Sequence, residues 1–126
     1  MKLSLRGEYA LRSLLVLGEL QGTQGAVVRI QEISDHHTHK LARFRGRPEI
    51  ADVRQSGTIA AIELRVSDAG YLAALGPTLN AFYLEHDVLL RTLGNVVYML
   101  PPYCMRASEL DRIYDVIDES LALLRA

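Results

Sequence analysis

Apolar positions along this chain repeat with two different periods, and the points where the period changes mark out its elements. Over residues 4–20, Leu5, Tyr9, Leu11, Leu14, Leu15 and Val16 leave a broad apolar face on a helix whose N-cap is Ser4. Residues 22–25 are a Gly-containing loop, and 27–30 read as a short strand or as the lead into a turn before 31–35. Residues 36–47 are polar and basic, compatible with helix up to Gly46-Arg47-Pro48. The period then drops to two. Residues 50–54 and 58–64 read as strands joined at Gln55-Ser56-Gly57, followed by a loop at 67–70 and a helix over 71–86. Gly76-Pro77 predicts a late start or a kink in that helix.

Two further apolar runs, 88–90 and 96–100, flank a turn at 92–95 in which Gly94 is free to take positive φ, and Pro101-Pro102 stops the second. Both runs are apolar on both faces, which predicts an interior hairpin. Leu110, Ile113, Tyr114, Ile117, Leu121 and Leu124 then repeat at helical spacing, with Ser108 and Asp111 forming a box-like cap and Asp111, Asp115, Asp118 and Glu119 on a solvated side. The order strand, strand, helix, strand, strand, helix predicts an α+β two-layer sandwich. Its sheet is mostly antiparallel with helices on one face, and an N-terminal helix precedes it.

Arg91 stands at the junction of the first run and the turn, where a cation must find an anion or reach water. On residue type alone it is a turn arginine with a packed stem and a solvated head. The string VLLRTLGNVVYMLPPY around it closely resembles the C-terminal domain of class III pyridoxal-phosphate aminotransferases, most specifically the branch that serves biotin synthesis, whose matching stretch has the form RP-G-(N/K)-Y-MPPY. The likeness extends through PEIADVRQSGTIAAIEL and ELDRIYDVIDESL and covers about residues 39–126. It implies that Arg91 binds a substrate carboxylate, in amino transfer from S-adenosylmethionine to 8-amino-7-oxononanoate. It also implies that the uncovered face of the sheet docks on a large cofactor domain. Thr92 stands where that family usually has proline.

The first 35 residues differ. MKLSLRGEYALRSLLVLGEL and then VVRIQEIS resemble the start of winged-helix repressors related to the iron-sulfur cluster regulator. The recognition helix, basic wing and three cysteines of that family do not follow. The chain thus divides as an incomplete repressor-like segment, 1–38, and an aminotransferase-like small domain, 39–126, joined near Asp35 to Lys40. Charge follows the same division, since residues 1–47 carry eight Lys/Arg against four Asp/Glu and 48–126 carry six against eleven. Such asymmetry fits either a nucleic-acid arm or a solvated surface.

Composition narrows the remaining chemistry. With 49% hydrophobic residues and a mean hydropathy of +0.09, the chain is expected to fold as one small domain, and an uncovered apolar face is a hazard. No apolar run is long enough to span a bilayer, so a cytoplasmic protein is expected. The single Cys104 is read as a small buried hydrophobe. His36, His37 and His39 read as solvated linker rather than metal ligands, and His86 as a cation near a helix C-terminus.

Pyridoxal-phosphate chemistry needs a lysine amine, a partner for the pyridinium nitrogen and a phosphate cup. Only Lys2 and Lys40 are present, and neither lies in the lysine motif of the resembled family. The sequence therefore predicts no cofactor and no catalytic residue in this chain, with Arg91 as its one substrate-binding residue. It predicts a requirement for a missing large domain, or self-association into a homo-oligomer, and no specific DNA partner. A winged-helix DNA-binding regulator, or a recombined fragment with no evolved activity, are the alternatives.

Overall fold

The computed structural model describes residues 4–21, 30–66 and 69–124. Its elements run α1 (Leu5–Gln21), α2 (Ile30–Leu41), a 3-10 turn (Ala42–Phe44), β1 (Ile50–Ser56), β2 (Ile59–Leu64), α3 (Ala69–Glu85), β3 (Arg91–Leu93), β4 (Val96–Met99) and α4 (Ala107–Ser120), closed by a 3-10 turn (Leu121–Leu124). The loop expected at 22–25 and most of the segment expected at 27–30 lie outside the described residues. The α+β sandwich is the observed architecture, with an entirely antiparallel sheet in the order β1-β2-β4-β3.

Alternation builds the inner layer. Ala60, Ile62 and Leu64 of β2 and Val97 and Met99 of β4 are buried, while Ile59, Ala61, Glu63 and Tyr98 point to the other side. Gly57 turns the β1–β2 hairpin at φ 56° and Gly94 turns β3 into β4 at φ 62°, both in the left-handed region that glycine enters without a Cβ penalty. Over the inner face lie α3, which inserts Leu75, Leu79 and Tyr83, and α4, which inserts Leu110, Tyr114, Ile117 and, just beyond it, Leu121. Ile33, His37 and Leu41 of α2 complete the layer.

Several expectations change. The α3 helix runs through Pro77 without ending, although proline removes a helix hydrogen bond at a cost of about 3 kcal/mol. Burial of Leu75, Leu79 and Tyr83 offsets that cost, and Gly76 lets the helix approach β3, since a Cβ there would meet Thr92 Oγ1 at 3.2 Å. The β3–β4 hairpin is not interior. β3 is an edge strand, residues 88–90 form no strand, and Leu93 is 74% and Leu89 84% exposed.

The α4 cap is also displaced. The Arg106 backbone N–H donates to Glu109 Oε2 at 2.7 Å, so the box begins two residues before Ser108. Cys104, expected to be buried, is exposed in the turn after Pro101-Pro102.

Residues 36–41 are not a linker. They complete α2, and the boundary drawn at 38/39 falls inside that helix. Both flanks pack on α4: Tyr114 meets the His37 ring edge-on at 5.8 Å and the Phe44 ring at 6.0 Å. After α2 the chain passes through its 3-10 turn into β1, so the described residues contain no recognition helix following it and give the repressor-like reading no support.

The charge asymmetry resolves into an intramolecular match. Lys40 pairs with Asp111 at 2.7 Å, Arg43 with Asp115 at 3.0 Å, and Arg47 with Asp118. Three acids assigned to a solvated side of α4 therefore face the basic edge of α2 and the turn beyond it. No described helix is long and apolar enough to cross a membrane.

Candidate carboxylate-binding site

Arg91 opens β3 directly across from Tyr98 of β4. A two-residue Gly94-Asn95 turn sets that register, pairing Leu93 with Val96, Thr92 with Val97 and Arg91 with Tyr98. Asn95 secures the turn from below by donating its side-chain amide to Leu64 O at 2.8 Å. Thr92 faces the helices, donating weakly toward Gly76 O at 3.5 Å and Asn80 Oδ1 at 3.3 Å, so Arg91 must project to the outer side of the sheet. The threonine thus ties the strand to α3 where the resembled family has proline.

The Arg91 side chain is exposed and makes no hydrogen bond or ion pair among the described residues. The other arginines on and beside the sheet are engaged: Arg54 with Glu63 at 3.1 Å, and Arg65 with Pro48 O and Ile50 O; Arg112 of α4 donates to His86 O. Arg91 lines a cleft of about 240 Å³ whose walls include Leu89, Tyr98, Leu100, Pro102 and Met105. No carboxylate lines it. One free guanidinium above apolar walls suits an anion that carries hydrocarbon, because the planar fork can hold a carboxylate bidentately while the chain covers apolar surface.

Arg91 was legible as a candidate from the sequence. Tyr98 and Met105 were not singled out, although the length of the Gly94-Asn95 turn fixes Tyr98 as the cross-strand partner of Arg91.

The other candidates separate. His36 bonds Asp111 at 2.8 Å, His37 turns inward and His39 is exposed, so no three ligating groups gather among the described residues. His86 stacks on Phe82 at 4.1 Å and bonds Phe82 O through Nδ1 at 2.8 Å, which puts it at the C-terminal end of α3 as expected. The Lys40 amine is occupied by Asp111, whose carboxyl it holds below the usual range with help from His36. Lys40 sits on the helix over β1 and β2, whereas Arg91 is on the opposite edge strand. These residues do not fit pyridoxal phosphate, and Lys2 lies outside the described residues.

This fold is that of a piece of the transaminases. A transaminase solved with L-alanine matches 92% of the chain at a TM-score of 0.72 and 24% identity, although the chain covers only 28% of it. The omega-transferase of Vibrio fluvialis JS17 matches 75% of the chain at a TM-score of 0.66.

The likeness extends to one particular enzyme. The adenosylmethionine-8-amino-7-oxononanoate aminotransferase of Synechococcus elongatus is 37% identical over 94 residues, 71% of this chain and 22% of the relative. The Geobacter sulfurreducens enzyme of that name is 36% identical over 78 residues. The solved enzyme of that name from Methanocaldococcus jannaschii matches 75% of the chain at a TM-score of 0.65 and 25% identity. The chain thus has partial homology to class III aminotransferases and spans about a fifth of the length of these curated relatives. No family model matches it.

Proposed function

We propose that this chain is the substrate-side portion of an aminotransferase of the adenosylmethionine-8-amino-7-oxononanoate type. Arg91 anchors the carboxylate of the amino-accepting keto acid, and a cofactor-bearing domain outside the chain supplies pyridoxal phosphate and its lysine. The observation that carries this reading is the free guanidinium of Arg91 at the rim of an apolar cleft. A nine-carbon keto acid has both complementary parts, a terminal carboxylate and an unbranched apolar chain. On its own the chain binds such an acid weakly and does not turn it over.

The test is titration with 8-amino-7-oxononanoate, following the Gly94 and Asn95 amides by nuclear magnetic resonance. Arg91→Gln should weaken binding ~10-fold or more, and Arg91→Lys less, because it keeps the charge and loses the fork. Equal binding of the corresponding neutral amide, or an unaffected Arg91→Gln variant, overturns the assignment.

A further inference from the structure

The β3 strand lies at the edge of the sheet, with β4 on one side and α3 beneath it. A two-residue turn makes Leu93 with Val96 and Arg91 with Tyr98 the hydrogen-bonded pairs, and leaves the Thr92 backbone facing the open edge. The Leu64 N–H, which reaches Asn95 O at 2.8 Å on the far side of β4, fits that alternation. Pairing therefore fixes where Arg91 sits along the strand, but a strand held on one side only can still rock about that neighbour. Its tilt needs a second hold.

Side chains supply it. Leu90, just before the strand, is 8% exposed and Thr92 turns inward, so the residues on both sides of Arg91 are anchored beneath the sheet while Arg91 itself points out. The Thr92 hydroxyl has one proton for two acceptors, and gives it to Asn80 Oδ1 at 3.3 Å, the nearer of the two, with Gly76 O beside it at 3.5 Å. Gly76 makes the room, because a Cβ there would come within 3.2 Å of that hydroxyl oxygen, closer than nonbonded atoms ordinarily sit. Positions 76 and 80 share one face of α3. An acceptor and a missing side chain thus converge on one hydroxyl.

We propose that Thr92 is the positioning residue of the carboxylate anchor, its hydroxyl docked on Asn80 over Gly76 setting the direction in which Arg91 leaves the sheet. This rests on the reading of Arg91 given under the proposed function. A guanidinium grips a carboxylate with both arms only when the two planes align, so the tilt of β3 matters more to that fork than to a point charge on a flexible stem.

Hydrogen exchange of the full chain without ligand reads the tether directly. In Thr92→Val, which keeps the shape and removes the hydroxyl, the Arg91 amide should exchange ~10-fold faster while the Ile62 amide keeps its rate. Gly76→Ala leaves the hydroxyl in place but crowds it, and should do the same. Titration with 8-amino-7-oxononanoate then reads the anchor: Thr92→Val should weaken binding ~10-fold, and Thr92→Ser by less than about 2-fold. In an Arg91→Lys background the cost of Thr92→Val should fall below about 3-fold, because the lysine charge has no fork to misalign. Unchanged exchange at Arg91 in both Thr92→Val and Gly76→Ala overturns the proposal. So does a cost of Thr92→Val that is equal in the unaltered and Arg91→Lys backgrounds, since a merely structural role would give that result. If the unaltered chain binds no acid while exchange responds as stated, the aminotransferase reading fails and the tether of β3 stands.

Discussion

The Tyr114 hydroxyl donates to His37 Nδ1 at 2.6 Å, although the two residues are 77 positions apart in the chain. The direction follows from the other ring nitrogen. His37 Nε2 lies 3.1 Å from Thr58 O, and a carbonyl can only accept, so the proton is on Nε2 and the imidazole is neutral. Burial pushes the His37 pKa below its ordinary 6.5 and the Tyr114 pKa above its ordinary range.

That geometry sets an acid limit. An unfolded chain takes the proton first as pH falls, so the stabilising contribution of neutral His37 is complete above about 6.5 and declines as pH drops toward the folded value. Urea unfolding at successive pH values should show stability falling below that point. In His37→Phe this component of the decline should disappear, with a loss of about 1–3 kcal/mol at neutral pH for the orphaned Tyr114 hydroxyl.

An alkaline limit mirrors it. Ser120 Oγ donates to Ile117 O at 2.7 Å and accepts the Tyr83 hydroxyl at 3.1 Å, and burial pushes Tyr83 up to about 12. The stability contributed by neutral Tyr83 is complete below 10 and is lost as pH rises through the folded value. Tyrosinate absorbance should therefore rise in two stages, the second coinciding with unfolding. Ser120→Ala should cost about 1–3 kcal/mol by leaving the Tyr83 hydroxyl without an acceptor.

The basic edge of α2 and its following turn is already neutralised, and DNA binding should reflect that. Among the described residues of the basic segment 1–47, Arg12, Lys40, Arg43 and Arg47 have carboxylate partners, and Arg6 and Arg45 have none. Any duplex binding should be weak, indifferent to sequence and steeply reduced by salt. Gel shifts with specific and random duplexes at physiological ionic strength check this. Arg43→Gln should lower stability by about 1–2 kcal/mol, because Arg43 also lies over the Phe44 and Tyr114 rings at 5.1 and 5.9 Å.

Mixed with pyridoxal phosphate, the chain should form no stoichiometric aldimine and should not turn over S-adenosylmethionine with the keto acid. The Lys40 amine would have to leave Asp111 at 2.7 Å. Borohydride reduction followed by mass spectrometry checks for a single-lysine adduct, and absorbance follows turnover.

The sheet and the α3 and α4 helices were legible because their signals are local. Ile62 and Leu64 alternate with the half-buried Ala61 and Glu63, and Leu110, Tyr114 and Ile117 keep helical spacing. The misread parts depend on contacts between distant segments. His37 looks solvated in a run of polar residues until α4 covers it, and Asp111, Asp115 and Asp118 look outward until α2 brings its cations alongside. Pro77 argues against a continuous helix until the packing of Leu75, Leu79 and Tyr83 is counted. Arg91 was visible through the string around it, but β3 as an edge strand was not, since apolar residues on both faces do not distinguish an interior strand from one whose second face is bare.

The joining of α2 to α4 has a kinetic consequence. His37, Phe44 and Arg43 reach their partners only after roughly seventy further residues have been made, and the intervening β1–β2 hairpin can form well before that. On the ribosome α2 can meet the β1–β2 hairpin early, through His37 and Thr58 O, but the side it turns to α4 stays open to aggregation or a chaperone until α4 emerges to receive it. The step that completes the layer should be the slow one in refolding, and substitutions at Tyr114 should retard it more than substitutions in the hairpin.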